Sequence, residues 1–158
     1  MTDPGAVAAT AAENVFVALE SMLRSSGRFV TVNRHEVKNA PPTQLTAEIW
    51  ADRAEPAPVM SGLAVGSIIV TFKVRIGMGM LTEPQDAIDP AVIAAVVDLM
   101  ARLHLNVSLG AGVELDAHGI NGAGLFAQAG YVNRSGGLYR VMDVMIPVIV
   151  PDVFPQAR

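Results

Sequence analysis

The feature that most limits the fold is an alternating segment near the middle of the chain, residues 67–77. Its apolar positions alternate with mostly polar ones and are Ile68, Val70, Phe72, Val74 and Ile76. Successive side chains of a strand point to opposite faces, so a period of two predicts a strand with one dry and one mostly wet face. An antiparallel sheet covered on one face produces this pattern, whereas parallel strands are apolar on both faces.

Two segments carry helical spacing. In the first, Asp3 and Pro4 are typical of an N-cap and a first helical position, and Gly27 is typical of a helix end. Its apolar stripe is Val15, Phe16, Leu19, Met22 and Leu23. The second begins with a similar Asp89-Pro90 pair, and its apolar face is Val92, Ile93, Val96, Val97, Met100 and Leu103. Both patterns predict amphipathic helices.

The end of the chain predicts a β-hairpin. Gly136 and Gly137 supply the positive φ of a tight turn, and an apolar strand of residues 138–150 follows. Pro147 cannot donate to a ladder, so we expect it at an edge or a bulge. The order helix, strands, helix, strands predicts an α+β fold, with a mostly antiparallel sheet and two main helices packed on one face. We expect a single domain over residues 1–158, with residues 1–5 and 151–158 as extended tails.

The composition excludes several classes of protein. Hydrophobic residues make up 51% of the chain and charged residues 16%, with a mean hydropathy of +0.40. A disordered chain is polar and highly charged, so disorder is excluded. The longest continuous apolar runs are shorter than the ~18 residues of a membrane span, and the first residues carry an acid where a signal peptide carries positive charge. We therefore expect no membrane association. The absence of cysteine excludes disulfides and thiolate chemistry.

The charge pattern does not predict a nucleic-acid groove. The formal net charge is −4, and the bases do not cluster. Nine of the 11 bases are arginine, which is typical of protein interfaces and also of a GC-rich genome. A monomer of this composition would leave apolar patches exposed to water, and the interfaces of an oligomer are the simplest way to cover them.

Two patterns could carry chemistry. Residues 122–127 match the loose dinucleotide pattern G-x-G-x-x-A, but the hairpin follows too soon for the required helix, so we interpret them as a flexible loop. Glu114, Asp116 and His118 alternate along a predicted strand, where they could bind a divalent metal or simply point at water. The H-E-x-x-H, G-x-S-x-G and P-loop motifs are absent. We therefore expect no enzyme activity, no metal and no cofactor.

Four apolar residues are candidate contacts with a partner. Met78, Met80 and Leu81 lie in a predicted glycine-containing loop of residues 77–89, where flexible methionines can adapt to another surface or fold back over the sheet end. Trp50 lies opposite the inward face of its predicted strand, as an interface anchor or as a residue covered by the proline-rich connector of residues 55–58.

The chain resembles the tail terminator (tail completion) proteins of long-tailed bacteriophages. The order of predicted elements matches over nearly the whole chain, including the proline-containing loop of residues 35–42 and the strand with Ile49-Trp50. The most specific similarity is the closing hairpin, Ala129-Gly130-Tyr131-Val132, a turn, and Leu138-Tyr139-Arg140-Val141.

This resemblance implies a structural virion protein, assembled in the bacterial host cytoplasm. The chain would form a homo-hexameric ring at the head-proximal end of the tail, with the tail tube protein and the head-tail connector or stopper protein as partners. DNA would be passing cargo only, and no catalytic residue is implied. Three alternatives stay open. They are another neck protein, such as a head completion or stopper protein, a small metal-binding enzyme at residues 114–118, and a host domain that pairs its last strand with a peptide.

Overall fold

The computed structural model of the protein describes residues 3–39, 44–58, 65–109 and 112–155. Two long helices lie against one face of a curled sheet of six strands, which confirms the predicted α+β class. The elements in chain order are α1 (Pro4–Ser25), β1 (Thr31–Asn33), β2 (Thr46–Pro56), β3 (Val65–Gly79), α2 (Ile88–Leu105), β4 (Glu114–Leu115), β5 (Phe126–Arg134) and β6 (Gly137–Pro155), with a single 3-10 turn, Gln85–Ala87, before α2.

The sheet is antiparallel except at one edge. The strand order is β1-β2-β3-β6, and β1 alone runs parallel to its neighbour. The far side of β6 pairs with β5 near the start of β6 and with β4 farther along. Over residues 137–149 the last strand therefore has neighbours on both sides, whereas residues 150–155 pair, among the described residues, with β3 alone. The alternative in which the last strand pairs with a peptide is thereby limited to this short end.

Pro147 lies in this central strand, so the prediction of an edge or a bulge is wrong. Pairing of β6 with β5 ends at Met145, and pairing with β4 begins at Val148. The carbonyl of Pro147 accepts a 3.0 Å hydrogen bond from the Asp116 amide on that side. The proline nitrogen points the same way, into the junction between β5 and β4, where no donor is required.

The core lies between the sheet and the two helices. The alternating side chains of β3 face it as predicted, and Phe72 meets Phe16 of α1 edge to face at 5.2 Å. The inner residues of α1 are buried, and the Asp3 side chain accepts from the Gly5 amide, which confirms the predicted N-cap. Because α1 begins at Pro4 and β6 continues to Pro155, residues 4–5 and 151–155 are not free tails.

Several element boundaries differ from those predicted. The predicted connector at residues 55–58 continues β2 as far as Pro56, where it pairs with Ile68. The helix α2 begins at Ile88, without a side-chain cap, because the 3-10 turn leads directly into it. The Asp89 carboxylate instead accepts a 2.9 Å hydrogen bond from Arg140 of β6.

By length and composition, α1 could span a membrane, since an 18-residue window has a mean hydropathy of 1.3. A core helix of a soluble protein meets the same criterion. In this structure Val15, Leu19 and Leu23 of α1 are buried against the sheet. The expectation of no membrane association stays a prediction.

Candidate interaction surfaces

The outer side of α2 is apolar. Its inner side buries Val92, Ala95, Val96, Leu99 and Leu103 in the core. The outer residues Ile93 and Val97 are 50% and 57% exposed, and Leu105 at the end is 89% exposed. Together with the exposed Ala101 they form a ridge of side chains spaced four residues apart, which we call the outer ridge. A surface helix ordinarily carries polar residues on this side, so the outer ridge is the clearest candidate interface.

The outer side of α1 is polar by comparison. Arg34, which follows β1, contacts Glu20 and lies 2.7 Å from Glu13 through its Nη1. Arg24 Nε lies 2.9 Å from Glu20 one helical turn away. Hydrogen bonds from Arg34 and then Arg24 lower the pKa of Glu20, and the bond to Glu20 raises the pKa of Arg34. The outer side of α1 is therefore a charged surface that is suited to contact with solvent.

A second exposed apolar group lies at one end of the sheet. Leu81 is 84% exposed, and Leu138, at the start of β6, is 47% exposed. The Met80 amide donates to the Leu138 carbonyl at 3.0 Å, which brings the two segments together. This placement agrees with the candidate role of Leu81, and Leu138 was missed because its neighbour along the sheet is distant in the chain.

The predicted loop from Gly77 is wrong for its first three residues, which continue β3. Met78 pairs with Arg140 of β6, and its half-buried side chain packs against the main core. A Cβ at Gly77 would approach Val141 Cγ1 to 2.9 Å, so this crossing accommodates only glycine without displacement. Met80 is half-buried just after the strand. Met78 and Met80 are therefore partly buried within their own subunit and are less available to a partner than residues of an open loop would be.

Trp50 is half-buried on the face of the sheet that the helices leave uncovered, which we call the open face. Two cations of β3 flank its ring, with Lys73 Nζ 5.7 Å and the Arg75 guanidinium carbon 5.1 Å from the centroid. Lys73 also lies 3.1 Å from Asp52. Residues 55–56 continue β2, and the described contacts of Trp50 are with these cations.

The open face is held by ion pairs. Arg75 donates to Asp143 of β6 at 2.8 and 3.0 Å, and the Glu36 carboxylate accepts at 3.2 Å. The hydrogen bond to Asp143 is the main cause of the raised pKa of Arg75. A groove of about 280 Å³ beside β5 is lined by Lys73, Arg75 and Asp143 among others, but both cations are already paired. Neither Lys73 nor Arg75 is therefore free to bind an anionic substrate in this groove.

A buried pair closes the open face at one end. The guanidinium of Arg134 in β5 donates to both oxygens of Glu48 in β2, with Nη2 3.0 Å from Oε2, and their side chains are 8% and 4% exposed. The Val37 amide also donates to Glu48, at 3.1 Å. Because β3 and β6 lie between these strands, a flat sheet would separate them by about 14 Å. The direct contact between Glu48 and Arg134 therefore shows that the sheet curls enough to bring β5 towards β2 at this end. Sequence reasoning missed it, since the residues lie 86 positions apart.

The proposed metal ligands Glu114, Asp116 and His118 line one cavity of about 270 Å³ together with His104, but they do not form a metal site. The strand β4 is only Glu114–Leu115, so residues 114, 116 and 118 do not share one strand face. Both oxygens of Asp116 accept backbone amides, from Ile120 at 2.9 Å and Asn121 at 3.0 Å. Among the described residues, no three His, Asp or Glu side chains could hold a metal ion. The glycine pattern at residues 122–127 leads into β5 rather than a helix, as the sequence indicated.

A scan against protein-family models and a search of curated proteins matched nothing to this chain. The interpretation of function therefore depends on the geometry of its surfaces.

Proposed function

We propose that this protein is the structural subunit of a ring at the head-proximal end of a phage tail. In this role the ring ends growth of the tail tube and joins the tail to the head connector. The observation that supports the proposal best is the outer ridge of α2, which leaves large apolar side chains in water on an isolated chain. The closing hairpin and the order of elements support the same family.

Burial of the outer ridge would supply part of the free energy of assembly, and further contacts must supply the rest, because association itself costs about 4–15 kcal/mol. Complete burial of a large aliphatic side chain contributes about 1.5–3 kcal/mol, so the exposed portions of Ile93, Val97 and Leu105 together offer roughly 3–6 kcal/mol per interface. The ridge lies on one side of the subunit. If it contacts a different surface of the next copy, the contact is head-to-tail and repeats until the ring closes. The exposed Leu81 and Leu138 are candidates for the surface that meets it.

The charge agrees with DNA as passing cargo. With −4 on each subunit, six copies carry a formal charge of about −24. Within the described residues, the arginines 75 and 134 on the open face are engaged by carboxylates. A ring of this charge gives phosphates no net attraction as DNA passes.

The proposal is tested first by mass. Size-exclusion chromatography with light scattering should give a mass that is a multiple of six times the 16.6 kDa of the chain, and negative-stain images should show six-fold rings. Replacement of Ile93 and Val97 by serine should lower the mass, while Val17→Ser on α1 should not. A stable monomer at micromolar concentration would contradict the ring.

The partner distinguishes a terminator from another neck protein. A terminator ring added to polymerising tail tube protein should cap the tubes and stop their growth, as seen by electron microscopy. Binding to the head connector without any effect on tube length would favour the head completion or stopper alternative. Neither result depends on an enzymatic assay.

A further inference from the structure

We propose that β5 pairs antiparallel with β5 of a second copy of this chain, about a two-fold axis at Gly130. The pairing would extend the sheet from one molecule into the next. It is separate from the outer ridge of α2, and it would link protomers in pairs whether or not they also form a ring.

The first step is to ask which sheet edges are available. The edge at β1 is three residues long, and Arg24 donates to its Val32 carbonyl at 3.2 Å. The edge at β4 is occupied, since the Leu115 amide donates to the Val107 carbonyl at 2.8 Å. Neither offers a row of free backbone groups.

The outer edge of β2 is protected in a different way. The strand β1 covers only residues 46–48, and the rest of β2 has an exposed edge. This stretch carries Asp52, Arg53 and Glu55, a register shift between residues 51 and 53, and Pro56 at its end. Charges, bulges and prolines are the features by which natural sheets prevent pairing at an edge.

The edge of β5 has none of these features. Within the part of the chain that the structure describes, β5 pairs with β6 alone. Residues 126–133 contain no charged residue and no proline, and their pairing with β6 has no register shift. A long, uncharged and regular edge is a template for another strand.

The hairpin turn fixes which backbone groups point outward. Ser135 and Gly136 have φ of 50° and 78°, so the turn has two residues and Arg134 and Gly137 form its closing hydrogen-bonded pair. In an antiparallel ladder the bonded pairs alternate, so the amides and carbonyls of the intervening residues point away from β6. Those residues are Ala127, Ala129, Tyr131 and Asn133.

The same four residues match one another about a two-fold axis at Gly130. Ala129 then lies opposite Tyr131 of the second copy, and Ala127 opposite Asn133, with about eight backbone hydrogen bonds in all. Tyr131 is 59% exposed, and each Tyr131 lies beside a small alanine. Gly130 meets its own copy, where the strands come closest, and has no side chain to obstruct them.

The occupant is therefore a second copy. A two-fold axis places residues of the same strand opposite one another, so a strand without charges pairs with its copy without repulsion. Head-to-tail pairing of strands would need a second open edge on the same molecule. The described edges of β1, β2 and β4 do not provide one, and the short end of β6, residues 150–155, contains Asp152 and two prolines, which oppose pairing.

Proline substitution tests the pairing. Because the Ala129 amide points away from β6, Ala129→Pro removes an outward donor and no bond within the hairpin. We expect this variant to have half the mass of the parent protein in light scattering, with an unchanged far-UV circular dichroism spectrum. The matched control Ala129→Ser keeps the amide and should have the parent mass. Should Ala129→Pro unfold, Ala129→Lys places a charge on the edge and should also halve the mass.

Amide hydrogen exchange gives an independent readout. In the parent protein the amides of Ala127, Tyr131 and Asn133 should exchange at least about tenfold more slowly at high than at low protein concentration. In Ala129→Pro this concentration dependence should disappear. Equal exchange at all concentrations, or equal masses for Ala129→Pro and Ala129→Ser, would overturn the proposal. Replacement of Ile93 and Val97 by serine should leave the exchange pattern unchanged, which separates this pairing from the ring contact.

Discussion

The two helices perform the same task on their inner sides and differ on their outer sides. Both bury a row of aliphatic residues against one face of the sheet. The outer side of α1 carries glutamates that arginines bind, whereas the outer ridge of α2 is apolar. Asp98 of α2 pairs with Arg102 and Arg28 away from this ridge, and Asp89, one turn before Ile93, pairs with Arg140 at the start of the helix. The outer side of α1 is therefore suited to solvent, and the outer ridge of α2 is the side that we propose contacts another subunit.

The largest effect is expected where the helices are alike. Leu19 of α1 and Leu99 of α2 are both almost completely buried. Leu19→Ala and Leu99→Ala should each lower the free energy of unfolding by about 2–5 kcal/mol, because each leaves a cavity in the core. Urea denaturation of both variants measures this. A loss below about 1 kcal/mol for Leu99→Ala alone would mean that α2 is not a core helix.

The next effect should separate the outer sides. Replacing Ile93 and Val97 by serine removes two side chains that are half-exposed on the isolated chain. Association should weaken by about 1–3 kcal/mol, or roughly fivefold to 150-fold in the dissociation constant. The control Val17→Ser, which changes a 49% exposed residue on α1, should leave association unchanged. Sedimentation equilibrium measures all three proteins, and an equal loss in both variants would remove the distinction between the helices.

A smaller effect is expected where β3 leaves the core. Met78 is half-buried against the core, so Met78→Ser should cost about 1–2 kcal/mol of folding stability. Leu81 is 84% exposed, so Leu81→Ser should leave stability unchanged and should weaken assembly only. Thermal unfolding and light scattering on the same samples distinguish the two results. A stability loss for Leu81→Ser would show that this residue is covered within its own subunit.

The smallest effect concerns the ion pairs of α1. The bonds from Arg34 and Arg24 lower the pKa of Glu20 in the folded protein below its ordinary value of about 4.5. The stabilisation is therefore present above that pH and is lost as the pH falls through the lower folded value. Glu20→Gln should shift the thermal midpoint by less than about 3 °C at pH 7. The variant should lose less stability than the parent on acidification, and identical pH profiles would contradict the assignment.

The sequence alone determined the local elements and the class of the fold. The Asp3-Pro4 start, the alternation through Phe72 and Val74, and the glycines after Arg134 each act through neighbouring residues. Local backbone preference and the periodicity of apolar side chains therefore suffice to predict them. The excess of apolar residues likewise predicted covered surface, although it did not indicate which helix carries it.

Only the tertiary structure decided what depends on strands meeting across the sheet. It placed the last strand in the centre, set Pro147 at the junction of β5 and β4, and joined Glu48 to Arg134 over 86 positions. It also placed the Asp89 carboxylate against Arg140 of β6, so that Asp89 does not cap the helix α2. Such pairings depend on the order and curl of the strands, and the pattern of one segment contains no information about which distant segment will lie beside it.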